Sequence, residues 1–269
     1  MRRSSWFSLT SVTFGLAFLY LPIVILVIFS FNEGRLVTVW AGFSTKWYVA
    51  VFQNEAFLNA AWVTLRVGVI SATVATVLGT LAALTLLRAG RFPGRTLFNG
   101  MIYAPLVMPE VIMGLALLLL FVAVEFDRGI WSVTIGHITF SMCYAAVVVS
   151  SRLVSMDRSL EEAARDLGCT PVSAFLLVTL PVIAPAVVAA WLLAFTLSLD
   201  DLVIASFTSG PGATTLPMKI YSQVRLGVTP EINALSTMLI ALVSTGVVFA
   251  SAVSRRFERR MERERQAVA

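Results

Sequence analysis

The chain has 269 residues, of which 58% are hydrophobic and 13% are charged, whereas soluble domains have roughly 45–50% and 25%. This composition excludes an ordinary water-soluble domain. The formal net charge of +5 does not indicate nucleic-acid binding, because the basic residues lie between apolar runs and act as a signal of membrane topology. The two cysteines, Cys143 and Cys169, have no paired spacing, so we expect neither a disulfide nor a metal site.

Six apolar runs are long enough to cross a bilayer as helices, which takes about 20 residues. They predict spans at about 12–31, 61–87, 101–124, 131–151, 182–207 and 234–254. The first run is longer than the core of a signal peptide and is therefore read as a retained helix. Because the segments between the runs are short, we predict one all-α transmembrane domain over residues 1–269.

The positions of lysine and arginine predict the orientation of these spans, since cytosolic loops carry an excess of both. A cytosolic amino terminus places most of the basic residues inside: Arg2, Arg3, Arg88, Arg91, Arg95, Arg152, Arg158, Arg165 and the arginines between Arg255 and Arg265. The other side receives fewer: Arg35, Lys46, Arg66, Arg128, Lys219 and Arg225. Both termini are therefore predicted to be cytosolic.

The polar loop between the fourth and fifth spans, residues 157–177, has clear helix boundaries. Ser159 and Glu162 have the spacing of a capping box at a helix start. Gly168 predicts the end of that helix, because glycine adopts the left-handed conformation that follows a helix. Thr170 and Pro171 then predict a second helix, with threonine as the cap and proline at the first helical position.

Charged residues cover one side of the first short helix, and small residues keep it narrow. The charged ones are Glu161, Glu162, Arg165 and Asp166, and the small ones are Ala163 and Ala164. Physical chemistry leaves two interpretations open: a helix that docks into a groove of a partner protein, or an amphipathic helix that lies on lipid headgroups.

The segment EEAARDLG, followed twelve residues after Gly168 by Leu180 and Pro181, resembles the EAA motif of permease subunits in binding-protein-dependent ABC importers. The resemblance implies a type I importer fold and a multi-pass protein of the bacterial inner membrane. It also implies that the first short helix is a coupling helix, which docks on an ATPase. The coupling residues on this chain are then Glu161, Glu162, Ala163, Ala164 and Gly168.

The sequence contains no phosphate-binding G-x-x-x-x-G-K-[ST] motif, so ATP hydrolysis requires another chain. We therefore predict a transport subunit with no catalytic residue and no cofactor of its own, and ATP with Mg bound by the partner ATPase. The resemblance implies two ATPase subunits, a sister permease that completes a heterodimeric pore, a periplasmic binding protein and membrane lipid as partners.

Three carboxylates lie within the predicted spans: Asp200, Asp201 and Glu110. A carboxylate within a span costs roughly 2.5–3.5 kcal/mol on insertion scales, so each is a candidate for the substrate pathway. Adjacent helical residues point about 100° apart, so one aspartate is expected to face the pathway and the other a neighbouring helix or loop. The alternative for the aspartates is a structural pair that is capped by backbone groups or paired with Arg66 or Lys219. The alternative for Glu110 is a buried, protonated and hydrogen-bonded carboxyl group.

Aromatic side chains near these carboxylates could attract a cationic solute through their ring faces. Trp191, Phe195 and Tyr221 are the candidates, and packing or lipid contact is the competing interpretation for each. His137, the only histidine, is interpreted as a buried, hydrogen-bonded side chain, with a proton relay as the alternative. The turn at residues 210–212 is interpreted as the start of a gate loop, with a plain external turn as the alternative.

Four separated segments resemble the permeases of polyamine importers, and the putrescine-importing group in particular. They are residues 36–42, 104–110, 198–228 and 230–235. The resemblance implies import of putrescine or spermidine, delivered by a periplasmic polyamine-binding protein. The alternatives are an ABC permease for another small cation or amine, an ion-coupled secondary transporter, and a receptor-type membrane protein without a conduction path.

Overall fold

The computed structural model describes residues 6–36 and 39–245. Regular structure in these ranges is helical, apart from one isolated antiparallel bridge between Asn32 and Phe43. The described residues form two compact units. One contains the residues before Ala56 and after Lys219, and the other contains Ala56–Lys219.

The first unit contains α1 (Trp6–Ser30) and α2 (Lys46–Gln53), and a later helix through residues 230–245. Asn32 organises the loop between α1 and α2, because its buried side-chain amide donates to the carbonyl oxygens of Leu36 and Val39. Almost every apolar side chain of α1 is exposed, as expected for a helix whose apolar surface contacts lipid or another chain.

The second unit contains most of the remaining helices. They are α3 (Glu55–Arg88), α4 (Arg95–Val107), α5 (Glu110–Ala123), α6 (Ile130–Ser155), α7 (Ser159–Asp166), α8 (Pro171–Ala174), α9 (Leu180–Asp200) and α10 (Val203–Thr208). A π-helical segment, Phe175–Thr179, joins α8 to α9. This makes Pro171–Asp200 one continuous helix of 30 residues. The last helix to begin in this unit is α11 (Leu216–Leu226).

The core of the second unit lies where α3, α6 and α9 meet. Ala83 of α3, Ala145 and Val149 of α6, and Ile183 of α9 are buried in one apolar cluster. Small residues allow the helix backbones to approach closely, as is typical of helix packing in membranes. At Gly79 of α3, an added Cβ would lie only 2.8 Å from the Met142 carbonyl oxygen of α6.

Four helices in the described residues are long and apolar enough to cross a membrane: Ser8–Ser30, Glu55–Arg88, Ile130–Ser155 and Pro171–Asp200. They correspond to the predicted first, second, fourth and fifth spans. The number rises to five if the bent pair α4 and α5 is counted as one span. The predicted six-span count and the cytosolic termini stay predictions, and the end of the sixth span at 234–254 lies outside the described residues.

Two predicted spans differ from the structure. The third, 101–124, is not one straight helix, because α4 and α5 meet at an angle of 118°. Pro109 precedes α5 and cannot donate a backbone hydrogen bond, which explains the break. The fifth, 182–207, begins earlier, at Pro171, and ends at Asp200, since Asp201 adopts an extended conformation.

Candidate coupling surface and carboxylate corner

The start of α7 is capped differently from the prediction. Ser159 is the first helical residue, and its backbone N–H donates to Asp157 Oδ1 at 2.9 Å. The predicted capping box of Ser159 and Glu162 is therefore wrong, because the capping carboxylate comes from two residues earlier. The same hydrogen bond holds the pKa of Asp157 below its usual value. An ionised carboxylate at this end also complements the helix dipole.

The end of α7 and the start of α8 form as predicted. Gly168 has a φ of 89°, and the N–H of Cys169 donates to the Ala164 carbonyl oxygen at 3.0 Å. These are the features of a Schellman motif, which requires a left-handed residue just after the helix. Thr170 caps α8 by accepting a hydrogen bond from the Ser173 N–H, and Pro171 occupies the first turn.

The side chain of Glu161 holds α7 against two other elements through polar contacts. The Arg88 Nε, at the end of α3, lies 3.1 Å from Glu161 Oε2. The hydroxyl of Thr179, in the π-helical segment, donates to Glu161 Oε1 at 2.8 Å. Glu161 thus connects α7 to both α3 and the helix that continues to Asp200.

Two further arginines cap the C-terminal end of α3. Arg158 donates to the Leu87 carbonyl oxygen at 2.9 Å, and Arg95 donates to the Leu86 carbonyl oxygen at 2.7 Å. Guanidinium groups satisfy carbonyls that have no helical partner and complement the negative end of the helix dipole. Arg158 and Arg88 therefore also attach the loop that contains α7 to the end of α3.

The predicted coupling residues fall on two faces of α7. Ala164 is buried, with 8% of its surface exposed, and Glu161 contacts Arg88 and Thr179. Glu162 and Ala163 are exposed. Gly168 lies in open space, with no atom within 4 Å of an added Cβ.

The outward face of α7 also carries two leucines that the sequence analysis did not select. Leu160 is 46% exposed and Leu167, just after the helix, is 87% exposed. They are seven residues apart, with Ala163 between them at the spacing of one helix face. That spacing was the available signal, and the predicted docking helix therefore has an exposed apolar stripe.

The two adjacent aspartates at the opposite end of α9 have different surroundings. Asp200 is the last residue of α9 and is exposed, whereas Asp201 is buried. The carboxylate of Asp201 accepts hydrogen bonds from the backbone N–H groups of Ile204 at 3.2 Å and Ala205 at 2.8 Å. The alternative interpretation, capping by backbone groups, therefore accounts for Asp201, and the role of Asp200 in the pathway stays a prediction.

His137 of α6 completes this corner between α9 and α10. Its Nε2 lies 3.0 Å from Asp201 Oδ2 but has no aligned hydrogen-bond partner. Its Nδ1 lies 2.6 Å from the hydroxyl of Ser198, and Ser71 of α3 donates to that hydroxyl at 3.2 Å. His137 is 2% exposed, so its predicted burial is confirmed, and one of its two ring nitrogens, Nδ1, is hydrogen-bonded.

The other predicted pathway residues lie elsewhere. Glu110 is exposed at the first position of α5, directly after the break. Trp191 and Phe195 stack with ring centroids 5.2 Å apart, and the Trp191 Nε1–H donates to the Thr73 hydroxyl of α3 at 3.0 Å. The Tyr221 ring lies on α11 under the guanidinium of Arg225, at 4.9 Å. Packing thus explains the positions of Trp191 and Phe195.

The segment after α10 is packed closely against other elements. An added Cβ at Gly210 would lie 2.0 Å from the Arg128 carbonyl oxygen, so only glycine fits there. Further along, Ala213 is buried, and the N–H of Leu216 donates to the Thr64 hydroxyl of α3 at 2.7 Å. The turn itself is exposed at Pro211 and Gly212, whereas Ala213 and Leu216 after it are buried.

Comparison with known proteins places the chain in a family. Residues 75–263 match the family described as "Binding-protein-dependent transport system inner membrane component". The putrescine transport system permease protein PotI of Escherichia coli is 55% identical over 247 residues, which cover 90% of this chain and 88% of that protein. The spermidine/putrescine transport system permease protein PotC of Escherichia coli is 43% identical, with coverage of 89% and 90%.

A solved structure has the same fold at lower identity. It is the bacterial alginate ABC transporter in complex with an alginate pentasaccharide-bound periplasmic protein, with a TM-score of 0.69, 20% identity, and coverage of 93% of this chain and 92% of that chain. The family match covers more than half of the chain, and two curated permeases match most of it. The chain therefore belongs to the family of inner membrane components of binding-protein-dependent transport systems.

Proposed function

We propose that this chain is one of two permease subunits in an ATP-driven importer of polyamines, with putrescine or spermidine as the solute. The observation that carries the proposal is the 55% identity to a putrescine permease along 90% of the chain. An exposed carboxylate, Asp200, at the end of the long helix α9 suits a solute with protonated amines, because opposite charges attract and a local negative charge raises the concentration of a cationic solute.

The proposed energy coupling uses α7 and the turn after it. Leu160, Ala163 and Leu167 would enter a groove of an ATPase subunit, as an amphipathic helix binds in a groove. Glu161 and Ala164 would act indirectly, because they face their own chain and join α7 to α3 and to the helix Pro171–Asp200. At 1.5 Å per residue this helix is about 44 Å long, so movement of α7 would reach the carboxylate corner.

The proposed complex contains two ATPase subunits that bind ATP and Mg, a sister permease and a periplasmic polyamine-binding protein. The exposed apolar surface of α1 leaves room for lipid and for the sister subunit. In the proposed topology both termini are cytosolic and six spans cross the inner membrane. This chain alone should not transport.

Uptake of labelled putrescine and spermidine tests this function in a host that lacks other polyamine importers. Co-expression with the sister permease, the ATPase and the binding protein should give uptake that vanadate blocks. An uncoupler should not abolish this uptake while ATP is maintained. Uptake that collapses with the ion gradient while ATP is maintained would instead favour a secondary transporter. Preferential uptake of another amine would retain the class and change the solute.

The coupling assignment predicts a specific effect of Gly168→Asp. The substitution adds a negative charge next to the exposed face of α7, and we expect ATP-driven uptake to be lost while the protein remains in the membrane. Gly168→Asn is the matched control, because asparagine has nearly the same shape and also tolerates the left-handed conformation. Normal uptake by Gly168→Asp would contradict the assignment of this turn to the ATPase interface.

The pathway assignment predicts that Asp200→Asn lowers polyamine uptake by about tenfold, equivalent to about 1.4 kcal/mol, with the membrane level unchanged. The substitution removes an exposed charge and keeps the side chain's shape. Asp200→Glu, which restores the charge, should recover much of the rate. Unchanged uptake in Asp200→Asn would show that this carboxylate has no part in conduction.

A further inference from the structure

A network of four buried polar side chains crosses the interior of the second unit and ends at the carboxylate of Asp201. It runs from Ser71 of α3 to Ser198 of α9, then to His137 of α6, and then to Asp201. All four side chains are buried. Buried polar groups are costly unless they are paired, so this arrangement fixes the relative positions of three helices at one level.

The last contact of this network, between His137 and Asp201, lies at the start of α10. The Asp201 carboxylate accepts hydrogen bonds from two N–H groups in the first turn of α10, those of Ile204 and Ala205. The His137 ring, from α6, lies against the same carboxylate at 3.0 Å.

The other end of α10 is also attached to α6. The Ser132 hydroxyl donates to the Thr208 carbonyl oxygen at 2.7 Å. The face between these ends is packed tightly: an added Cβ at Gly136 of α6 would lie 2.9 Å from Ile204. Both ends and one face of α10 are therefore held by α6, and the start of α10 is held through His137.

The orientation of Asp201 determines where Asp200 lies. Helical neighbours point about 100° apart, and α9 ends between these two residues. While Asp201 is held inward by His137 and by the start of α10, Asp200 remains on the exposed side. Without these contacts of Asp201, the backbone corner that carries Asp200 would lose its attachment to α6 and to the start of α10.

We propose that His137 is a positioning residue for solute passage: it holds Asp201 at the start of α10 and so keeps the Asp200 carboxylate exposed at the end of α9. His137 itself does not contact the solute in this assignment. The inference rests on the proposed function, because the solute is the cation that Asp200 would attract.

Two substitutions of His137 separate the contact to Asp201 from the contact to Ser198. The side-chain amide nitrogen of glutamine reaches about as far as Nε2, and that of asparagine about as far as Nδ1. We therefore expect His137→Gln to keep putrescine uptake within about threefold of wild type. We expect His137→Asn to lower it about tenfold or more, because the buried carboxylate loses its partner.

The kinetics of putrescine uptake by His137→Asn distinguish a positioning role from a loss of folded protein. Initial rates across putrescine concentrations should show a raised KM for His137→Asn at equal abundance in the membrane. Equal uptake by the asparagine and glutamine variants, or better uptake by the asparagine variant, would overturn the proposal.

A second readout does not depend on the solute. Thermal unfolding of the purified complex with His137→Asn, Asp201→Asn and both together should give non-additive effects, since contacting residues are energetically coupled. Additive effects would overturn the contact between His137 and Asp201. If the wild-type complex does not take up putrescine but the cycle is non-additive, the proposed solute fails while the positioning contact stands.

Discussion

Asp200 and Asp201 are chemically identical neighbours with opposite surroundings. Asp201 is enclosed by backbone donors and by His137, so its role in the structure is that of a cap. Asp200 is exposed, and neither described ion pair includes it. The difference comes from the end of α9, where the chain leaves the helix at Asp201 and begins α10 two residues later.

The two aspartates should therefore differ in their contribution to stability. Asp201→Ala should lower the free energy of unfolding by about 1–2 kcal/mol, the typical cost of losing a helix cap. Asp200→Ala, the control at the adjacent position, should change it by less than about 0.5 kcal/mol. Thermal unfolding in detergent measures both, and equal losses would contradict the assigned roles.

At the scale of elements, the long helix Pro171–Asp200 connects the two candidate sites. Its first residues lie beside α7, where Thr179 contacts Glu161, and its last residue is Asp200. Its middle packs on α6, which packs on α3 at Gly79. Movement at α7 is therefore expected to shift this helix as a rigid element, since close packing leaves little room for local adjustment.

The close approach of α3 and α6 predicts the effect of a single methyl group. Gly79→Ala should lower the free energy of unfolding by about 1–3 kcal/mol, because the added Cβ would meet the backbone of α6. Gly100→Ala is the matched control in α4, where no atom lies within 4 Å of the added Cβ. That control should be neutral or stabilising, and a similar loss at both glycines would contradict the packing.

At the scale of the whole molecule, three of the arginines predicted to be cytosolic lie at one end of the second unit. Arg88, Arg95 and Arg158 all contact the end of α3 or the loop with α7. The carboxylate corner lies at the other end of the helix Pro171–Asp200. This separation fits a protein that meets its energy source on one side of the membrane and its solute on the other.

The two cysteines provide a direct test of this orientation. Cys169 follows α7 in the predicted cytosolic loop and is partly exposed, whereas Cys143 is buried in α6. A membrane-impermeant thiol reagent should label the protein in inside-out vesicles and not in intact cells. Cys169→Ser should abolish this labelling and Cys143→Ser should leave it unchanged. Labelling of Cys169 from outside would reverse the proposed topology.

Local sequence alone determined the features that depend on neighbouring residues. Apolar run length predicted α1, α3 and α6, because a bilayer requires about 20 apolar residues. Gly168 and Thr170 predicted the turn after α7, because φ preference and capping are local properties. The EAA-like motif predicted the family, which the match over residues 75–263 confirmed.

Only the tertiary structure decided which side chains face outward and which pair across helices. Neither the contact of Glu161 with Arg88 nor that of His137 with Asp201 follows from local sequence, because each joins segments that are more than sixty residues apart. The end of α9 at Asp200 also depends on tertiary contacts, because Asp201 lies against His137 and the start of α10, whereas the bend between α4 and α5 has a local cause in Pro109. Composition therefore specified a membrane protein with carboxylates in its spans, and packing decided that Asp201 is a cap while Asp200 is exposed.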